Sequence, residues 1–271
     1  MVTAMSGVDA RSRLAGSRFA DLRWVEQTGS TNEDLLELAR SSEACDVVLA
    51  AESQTAGRGR LDRSWEAPPG SSLLVSVLLR PGLSMPEAHL VTMALGIAAA
   101  EACRSRTGCG PLLKWPNDLV VEGVGDDRRD RKVGGILAET VVSGGRLEAL
   151  VVGLGLNVNW PEVPDGLAGI ATSLNLVVGH DVDREDLLVA VLVGFEELYD
   201  RLIGEAGRDW LRERYARLSA TLGRSVRVEL ADEALEGVAV GVTSGGQLIV
   251  ETGFGFREIT VGDVIHLHPA G

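Results

Sequence analysis

The stretch K-V-G-G-I-L-A-E-T-V-V-S-G-G-R-L-E-A-L-V-V-G-L-G-L-N-V-N, residues 132–159, holds two long apolar runs bounded by glycine. Residues 133–142 and 147–156 therefore read as strands. Upstream, residues 24–28, 46–51, 73–79, 112–114 and 119–121 read as further strands. Helical signals lie among them. Leu35, Leu36, Leu38 and Ala39 share one face of a helix over residues 32–40. Ser84 and Glu87 form a capping box, with Pro86 in the first turn, for a helix reaching about residue 104. Asp183 caps a long amphipathic helix to about residue 203, and a shorter helix covers residues 209–218. This is an α+β pattern, a mixed sheet flanked by helices.

At Leu222-Gly223 the pattern changes. Short alternating strands follow around Val226–Leu230, Val238–Val242, Leu248–Val250, Ile259–Val261 and Ile265–Leu267, separated by turns such as Ser244-Gly245-Gly246. Five short strands so close together point to a small C-terminal barrel. The expected layout is a tail over residues 1–20, a main domain over 21–222 and the barrel over 223–271. Residues 122–131 are expected to form a charged loop.

The 271 residues are 45% hydrophobic and 24% charged, which excludes a disordered chain. The longest nearly apolar stretch runs only from Leu90 to Ala100, against the roughly 18 residues that a membrane span requires. A net charge of −13 argues against nucleic acid as the main partner. The first twenty residues are too few for a three-helix DNA-reading unit. Three scattered cysteines without metal-ligand spacing fit a cytoplasmic chain with reduced thiols.

All but two of the 26 basic side chains are arginine; Lys114 and Lys132 are the exceptions. An ammonium is a compact point charge where a guanidinium is a planar fork, so these two positions are candidates for chemistry that arginine cannot perform. Asparagine is also scarce, and Asn32, Asn117 and Asn157 fall within marked segments.

Four segments carry the candidate site. Gln54-Thr55-Ala56-Gly57-Arg58-Gly59-Arg60 offers exposed amides and two guanidiniums to a carboxylate or phosphate, although such loops also occur fully solvated. Lys114-Trp115-Pro116-Asn117-Asp118 leaves a strand as a fixed turn. It either aims three polar groups at a ligand, with Asp118 beside a magnesium ion, or is an Asn-Asp turn with Trp115 in the core. Gly134-Gly135 after Lys132 permits close ligand approach or forms a bulge. Gly153-Leu154-Gly155-Leu156-Asn157-Val158-Asn159 ends a buried strand. Ser30 and Thr31 stand where a helix begins, as caps, ligand contacts or both.

Taken in order, G-S-T-N, Q-T-A-G-R-G-R, K-W-P-N-D, R-K-V-G-G-I-L-A-E and G-L-N-V-N resemble the biotin–protein ligase family, from about Trp24 to Leu267. The resemblance implies the biotinyl/lipoyl ligase catalytic fold followed by an SH3-like barrel. It implies a monofunctional ligase without DNA-binding repressor activity, acting on biotin and MgATP without a bound prosthetic group. Biotin would become biotinyl-5′-AMP and then pass to a lysine of the biotin carboxyl carrier domain of acyl-CoA carboxylases. Carried over, Ser30, Thr31, Asn32, Gln54, Gly57 and Gly135 would serve biotin. Arg58, Gly59 and Arg60 would close over its carboxylate and the adenylate phosphate, and Lys132 would lie between those two groups. Lys114, Asn117, Asp118 and Asn157 would serve the nucleotide, with Asp118 on magnesium. Lys132, Arg58 and Arg60 are the expected catalytic residues.

The sequence departs from the family at Gly134, where many relatives carry Ala or Ser, and over residues 169–174, which lack a tryptophan near the adenine. Trp65 is an alternative contributor there or a packing residue. The competing readings are a lipoate or octanoate ligase or transferase of the same fold and a non-catalytic biotin-binding relative. The transferases pair a Lys with a catalytic Cys, and no cysteine here sits in such a motif.

Overall fold

The computed structural model describes residues 7–124, 129–204, 207–230, 232–260 and 262–267. A short helix α1 (Val8–Arg13) leads into strand β1 (Asp21–Thr28), helix α2 (Thr31–Ser41), β2 (Val47–Gln54) and β3 (Ser72–Leu79). Helix α3 (Ala88–Thr107) precedes β4 (Leu112–Lys114), β5 (Asp118–Val124), β6 (Arg129–Ser143) and β7 (Arg146–Asn157). Helices α4 (Leu174–Val178), α5 (Arg184–Ile203) and α6 (Gly207–Leu218) complete the first unit. Its seven strands run β1-β2-β3-β7-β6-β5-β4, and only β1 and β2 pair in parallel. No helix among the described residues is long and apolar enough to cross a membrane.

Every residue of β3 is buried, because helices cover both faces of the sheet. On one face Leu73, Val75 and Val77 join the cluster built with α3 and α5, whose Leu95, Leu192 and Phe195 are fully enclosed. On the other face Leu78 packs with Leu35, Leu36 and Ala39 of α2. α2 has only 11 residues. It leaves the rest of that face, around Leu74 and Ser76, open to the cavity described below.

Local signals act where the sequence places them. The Asp183 carboxylate accepts the backbone N–H of Glu185 and of Asp186, starting α5. The Ser84–Glu87 capping box opens a single turn of tighter helix, Met85–Glu87, that feeds α3.

Two expectations are corrected. Residues 1–20 are no loose tail from Gly7 onward: Ala10, Leu14 and Phe19 are fully buried, and Phe19 stacks on Phe195 with ring centroids 5.6 Å apart. Glu185 and Glu196 of α5 accept the backbone N–H of Ala10 and Arg18. Residues 1–6 lie outside the described residues. The charged loop expected over 122–131 is mostly strand, since β5 runs to Val124 and β6 starts at Arg129. Residues 125–128 lie outside the described residues.

The C-terminal strands β8 (Ser225–Glu229), β9 (Ala234–Val242), β10 (Leu248–Thr252), β11 (Gly255–Ile259) and β12 (Asp263–His266) form one antiparallel sheet, ordered β11-β10-β9-β8-β12. Five C-terminal strands are present as expected, the fourth at Gly255–Ile259 rather than Ile259–Val261, in an antiparallel sheet that no β11–β12 pairing closes into a barrel among the described residues. It is tied to the large sheet at the turn after β4. Trp115 is 1% exposed, its peptide bond to Pro116 is cis, and its indole N–H donates to the Gly246 carbonyl at 3.0 Å.

Candidate active site

A cavity of about 370 Å³ opens on the α2 face of the large sheet, and residues of β12 complete its wall. Its floor is glycine. Gly135 of β6 and Gly155 of β7 are register partners, and Gly153 lies two residues along β7 on the same face. A Cβ at Gly155 would run into the Trp65 indole, and one at Gly153 into the Asn32 amide. The G-L-G of the fourth motif thus seats two side chains that lie flat on the sheet.

One end of the cavity is a set of neutral polar groups. Ser30 is the N-cap of α2, yet its hydroxyl caps nothing. The Thr31 N–H donates instead to Gln54 Oε1 at 2.8 Å. The Thr31 hydroxyl meets Ser76 Oγ at 2.7 Å, and Ser76 donates to Asn32 Oδ1 at 2.6 Å. All three of these side chains are buried.

The opposite end is cationic. Lys132 Nζ lies 2.7 Å from Asp118 Oδ1 and 5.4 Å from the centre of the Trp65 ring. Lys114, at the end of β4, is pressed by burial toward its neutral form, and burial likewise lowers the pKa of Arg60. Arg60 donates to Asn117 Oδ1 at 3.1 Å and to the Gly262 carbonyl at 3.3 Å, with Asp263 at 3.6 Å. Asn117 in turn donates to the Ile136 carbonyl at 2.8 Å, which pins the turn to β6. The turn therefore does both things that its sequence allowed: Trp115 packs in the core while Lys114, Asn117 and Asp118 face the cavity.

The Gly/Arg segment is a small hairpin. Arg58 and Ser64 are bridged, Gly59 N–H donates to the Arg63 carbonyl at 2.7 Å, and Trp65 N–H donates to Gly57 at 2.9 Å. Leu61 and Asp62 turn it with left-handed backbones. The hairpin sends its arginines to opposite ends of the cavity. Arg60 reaches the cationic end, whereas Arg58 pairs with Glu33 and Glu139 beside the neutral polar groups.

Of the residues singled out from sequence, Ser30, Thr31, Asn32, Gln54, Arg58, Gly59, Arg60, Lys114, Asn117, Asp118, Lys132 and Gly135 all line this cavity. Gly57 and Asn157 do not. Gly57 is the point where the hairpin strands cross against the Trp65 carbonyl. Asn157 donates to the Thr172 carbonyl at 3.0 Å, holding a segment that pairs with the backbone of Lys132. The structure adds Ser76, Gly153 and Asp263 to the wall, and Trp65, an adenine contributor or packing residue by sequence, lines it with its ring packed on Gly155. Ser76 carried a signal as the lone polar residue deep in an apolar strand; Asp263 had none.

Behind the turn runs a second network. Trp115 N–H donates to Thr221 Oγ1 at 3.0 Å, Thr221 meets His266 Nε2 at 3.2 Å, and His266 Nδ1 lies 3.1 Å from Asp130 Oδ2. Arg224 Nη1 also lies 3.2 Å from His266 Nδ1 and donates to Asp130 Oδ2 at 2.8 Å, so Asp130 and Arg224 together hold the ring against Thr221. Burial lowers the His266 pKa to about 4, which keeps the ring neutral.

Comparison with known proteins places this geometry. Residues 24–157 match the biotin/lipoate A/B protein ligase family, and residues 221–267 match the biotin protein ligase C-terminal domain. The chain is 35% identical over 260 residues to the biotin–[acetyl-CoA-carboxylase] ligase of Mycobacterium tuberculosis, covering 93% of this chain and 91% of that protein. It is 30% identical over 239 residues to the bifunctional ligase/repressor BirA of Bacillus subtilis, covering 87% of this chain and 70% of that one. Among solved structures, the biotin protein ligase of Aquifex aeolicus in complex with biotin and ATP superimposes with a TM-score of 0.76. The two are 29% identical, over 90% of this chain and 97% of that one.

Proposed function

The chain belongs to the biotin/lipoate A/B protein ligase family, and from that membership we propose how its own residues divide the reaction among them. The reaction is the ATP-dependent activation of biotin to biotinyl-5′-AMP, followed by transfer of biotin to the biotin carboxyl carrier protein. The observation that carries the assignment of roles is the polarity of one cavity: neutral hydrogen-bonding groups at one end, a glycine floor, and cations at the other end.

Ser30, Thr31, Asn32 and Gln54 receive the bicyclic head of biotin. Its aliphatic tail runs along Trp65, whose ring packs directly on Gly155 and beside Gly135 because neither carries a side chain. The carboxylate then arrives at Lys132 and Arg60. A carboxylate attacking the α-phosphate approaches against like charge, so these cations lower the barrier by positioning and by electrostatic stabilisation. The new bond joins a carboxylate oxygen to the α-phosphorus, and pyrophosphate leaves. In the second step a carrier amine attacks the mixed anhydride, Lys132 balances the charge on the acyl oxygen, and AMP leaves. Arg58, held by Glu33 and Glu139, supports the head end rather than the phosphate.

Lys114, Asn117 and Asp118 serve the nucleotide, and Asn157 acts behind Lys132. Magnesium fits as an ion carried on the phosphates. Asp118 offers one carboxylate, and no group of three ligating side chains forms a cage among the described residues.

The acceptor would be the carrier domain of an acyl-CoA carboxylase, as the names of the relatives suggest. Strand addition is a natural docking mode. The sheet edge at β4 is occupied by Ser219 and Ala220, which leaves β1 as the edge for a carrier strand. Three free thiols, with Cys45 exposed, support a cytoplasmic setting, and the net charge of −13 disfavours nucleic acid as a partner. No cysteine lines the cavity, which disfavours a cysteine-dependent acyl transferase.

The test is intact-mass spectrometry of a biotin carrier domain after incubation with this protein, biotin and MgATP. One added biotin, absent when the carrier's target lysine is changed to Arg, is the expected result. An unmodified carrier and no pyrophosphate would refute the assignment.

A further inference from the structure

At the neutral end of the cavity a run of amides and hydroxyls starts from a carboxylate, and that starting point determines which way each one points. Glu139 of β6 has no proton to give when ionised. Its Oε2 accepts from Asn32 Nδ2 at 2.9 Å, and its other oxygen is paired with Arg58. The Leu137 carbonyl, 3.2 Å from the same Asn32 nitrogen, asks for the same amide orientation. Asn32 is packed against Gly153, where any side chain would collide with its amide.

With the NH₂ group turned to Glu139, Asn32 Oδ1 faces Ser76 and takes its single hydroxyl proton at 2.6 Å. Ser76 then has none for Thr31. The 2.7 Å contact between the two hydroxyls is a hydrogen bond only if Thr31 donates. Gln54 Oε1, 3.1 Å from the Thr31 hydroxyl, is already served by the Thr31 N–H. Thr31 therefore turns a lone pair, not a proton, toward the cavity. Gln54, with its oxygen held by Thr31, keeps its amide NH₂ as a donor. One acceptor beside one donor matches the N–H and C=O of a cyclic urea.

We propose that Glu139 is a positioning residue which, through Asn32 and Ser76, sets the hydrogen-bond polarity of Thr31 so that the pocket accepts a urea N–H. This rests on the biotin reading above. Without Ser76 as the link, the Thr31 proton keeps only Gln54 Oε1 at 3.1 Å and competes with the ligand's own N–H; without the carboxylate, Asn32 keeps only the 3.2 Å contact to Leu137 and its amide is free to flip.

The experiment compares wild type, Ser76→Ala, Glu139→Gln and the double variant in biotin- and ATP-dependent pyrophosphate release. Ser76→Ala leaves the Glu139–Arg58 pair intact and so isolates the relay. Expected is a rise of about tenfold in KM for biotin in Ser76→Ala, on the order of one opposed hydrogen bond. Glu139→Gln shifts it the same way, KM for ATP stays within twofold in both, and the double variant is no worse than the worse single one. Values of KM for biotin within twofold of wild type in both single variants would overturn the proposal, as would a double effect equal to the product of the singles. Should Ser76→Ala fail to fold, Glu139→Gln is compared in the wild-type and Arg58→Gln backgrounds: the same rise in KM for biotin in both supports the relay, and its disappearance without Arg58 would overturn it. A wild type that releases no pyrophosphate with biotin would instead strike the biotin reading itself, and the relay with it.

Discussion

The ammonium of Lys132 sits 2.7 Å from the carboxylate of Asp118, and both project into the cavity from adjacent, paired strands. A compact cation beside one carboxylate stays available to a second anion, because its three donors are not consumed by a single fork. Lys132→Arg keeps the charge but brings a planar group over Gly135, where Lys132 already stands close. Pyrophosphate release should fall by roughly 100-fold, the scale of losing one stabilising group for developing charge. A variant within threefold of wild type in that assay would remove Lys132 from the chemistry.

Gly155 lies directly beneath the Trp65 ring. Gly155→Ala forces that ring off the floor, and overpacking of this kind costs about 1–3 kcal/mol. The expected outcome is weaker biotin binding by calorimetry, with a shift in tryptophan emission as Trp65 moves. Unchanged affinity and emission would show that the ring is not seated as described.

Arg60 ties the hairpin to Asn117 and to the C-terminal sheet. Arg60→Gly should leave biotin activation measurable while biotinyl-5′-AMP escapes before transfer. Mass spectrometry of a bystander protein in the reaction then finds biotin on many exposed lysines, whereas wild type labels the carrier alone. Retained carrier selectivity would count against retention of the intermediate by this arginine.

Thr221 carries the bond from the Trp115 backbone to His266. Thr221→Val strands a buried N–H, at a cost of about 1–3 kcal/mol. Urea unfolding measures that loss, and KM for ATP should rise while KM for biotin holds, because Lys114, Asn117 and Asp118 flank the disturbed residue. Equal changes in both KM values would argue that the turn does not serve the nucleotide separately.

Burial also lowers the pKa of His89 to about 4, alongside that of His266. In the unfolded chain both rings take up a proton near pH 6.5, so between about pH 6.5 and 4 the unfolded state binds more protons than the folded one. Stability contributed by these neutral rings is complete above that window and is lost as the pH falls through it. Thermal midpoints should drop across this range, and the drop should be shallower in His266→Gln. A slope identical to wild type would mean that His266 titrates in its ordinary range.

Elements with local signals are legible in the sequence. Asp183 starts α5 because a carboxylate satisfies two orphan N–H groups, a short-range effect written in adjacent residues. The two lysines were visible as departures from an arginine-rich chain, and both reach the cavity. The six-residue α1 was not legible, because too few residues were present to show a helical period and its anchors, Glu185 on the Ala10 N–H and Asp186 on Arg13, lie far along the chain. Asn157 stood in a marked motif, yet it faces Thr172 because the strand end turns it away from the floor. Glu139 lay inside a quoted motif without a role, since its meaning depends on Asn32 and Arg58 arriving from two other segments.

Gly262 and Asp263, at the start of β12, close the wall around Arg60, and β12 follows every other strand of both sheets in the chain. During synthesis the neutral end of the cavity, with Thr31, Gln54 and Ser76, leaves the ribosome long before this last strand does. A nascent chain that has not yet released β12 therefore presents the neutral end of the cavity while the wall around Arg60 is still open. Emergence of β12 thus acts as an ordering step, in which the wall around Arg60 closes only after the rest of the cavity is in place.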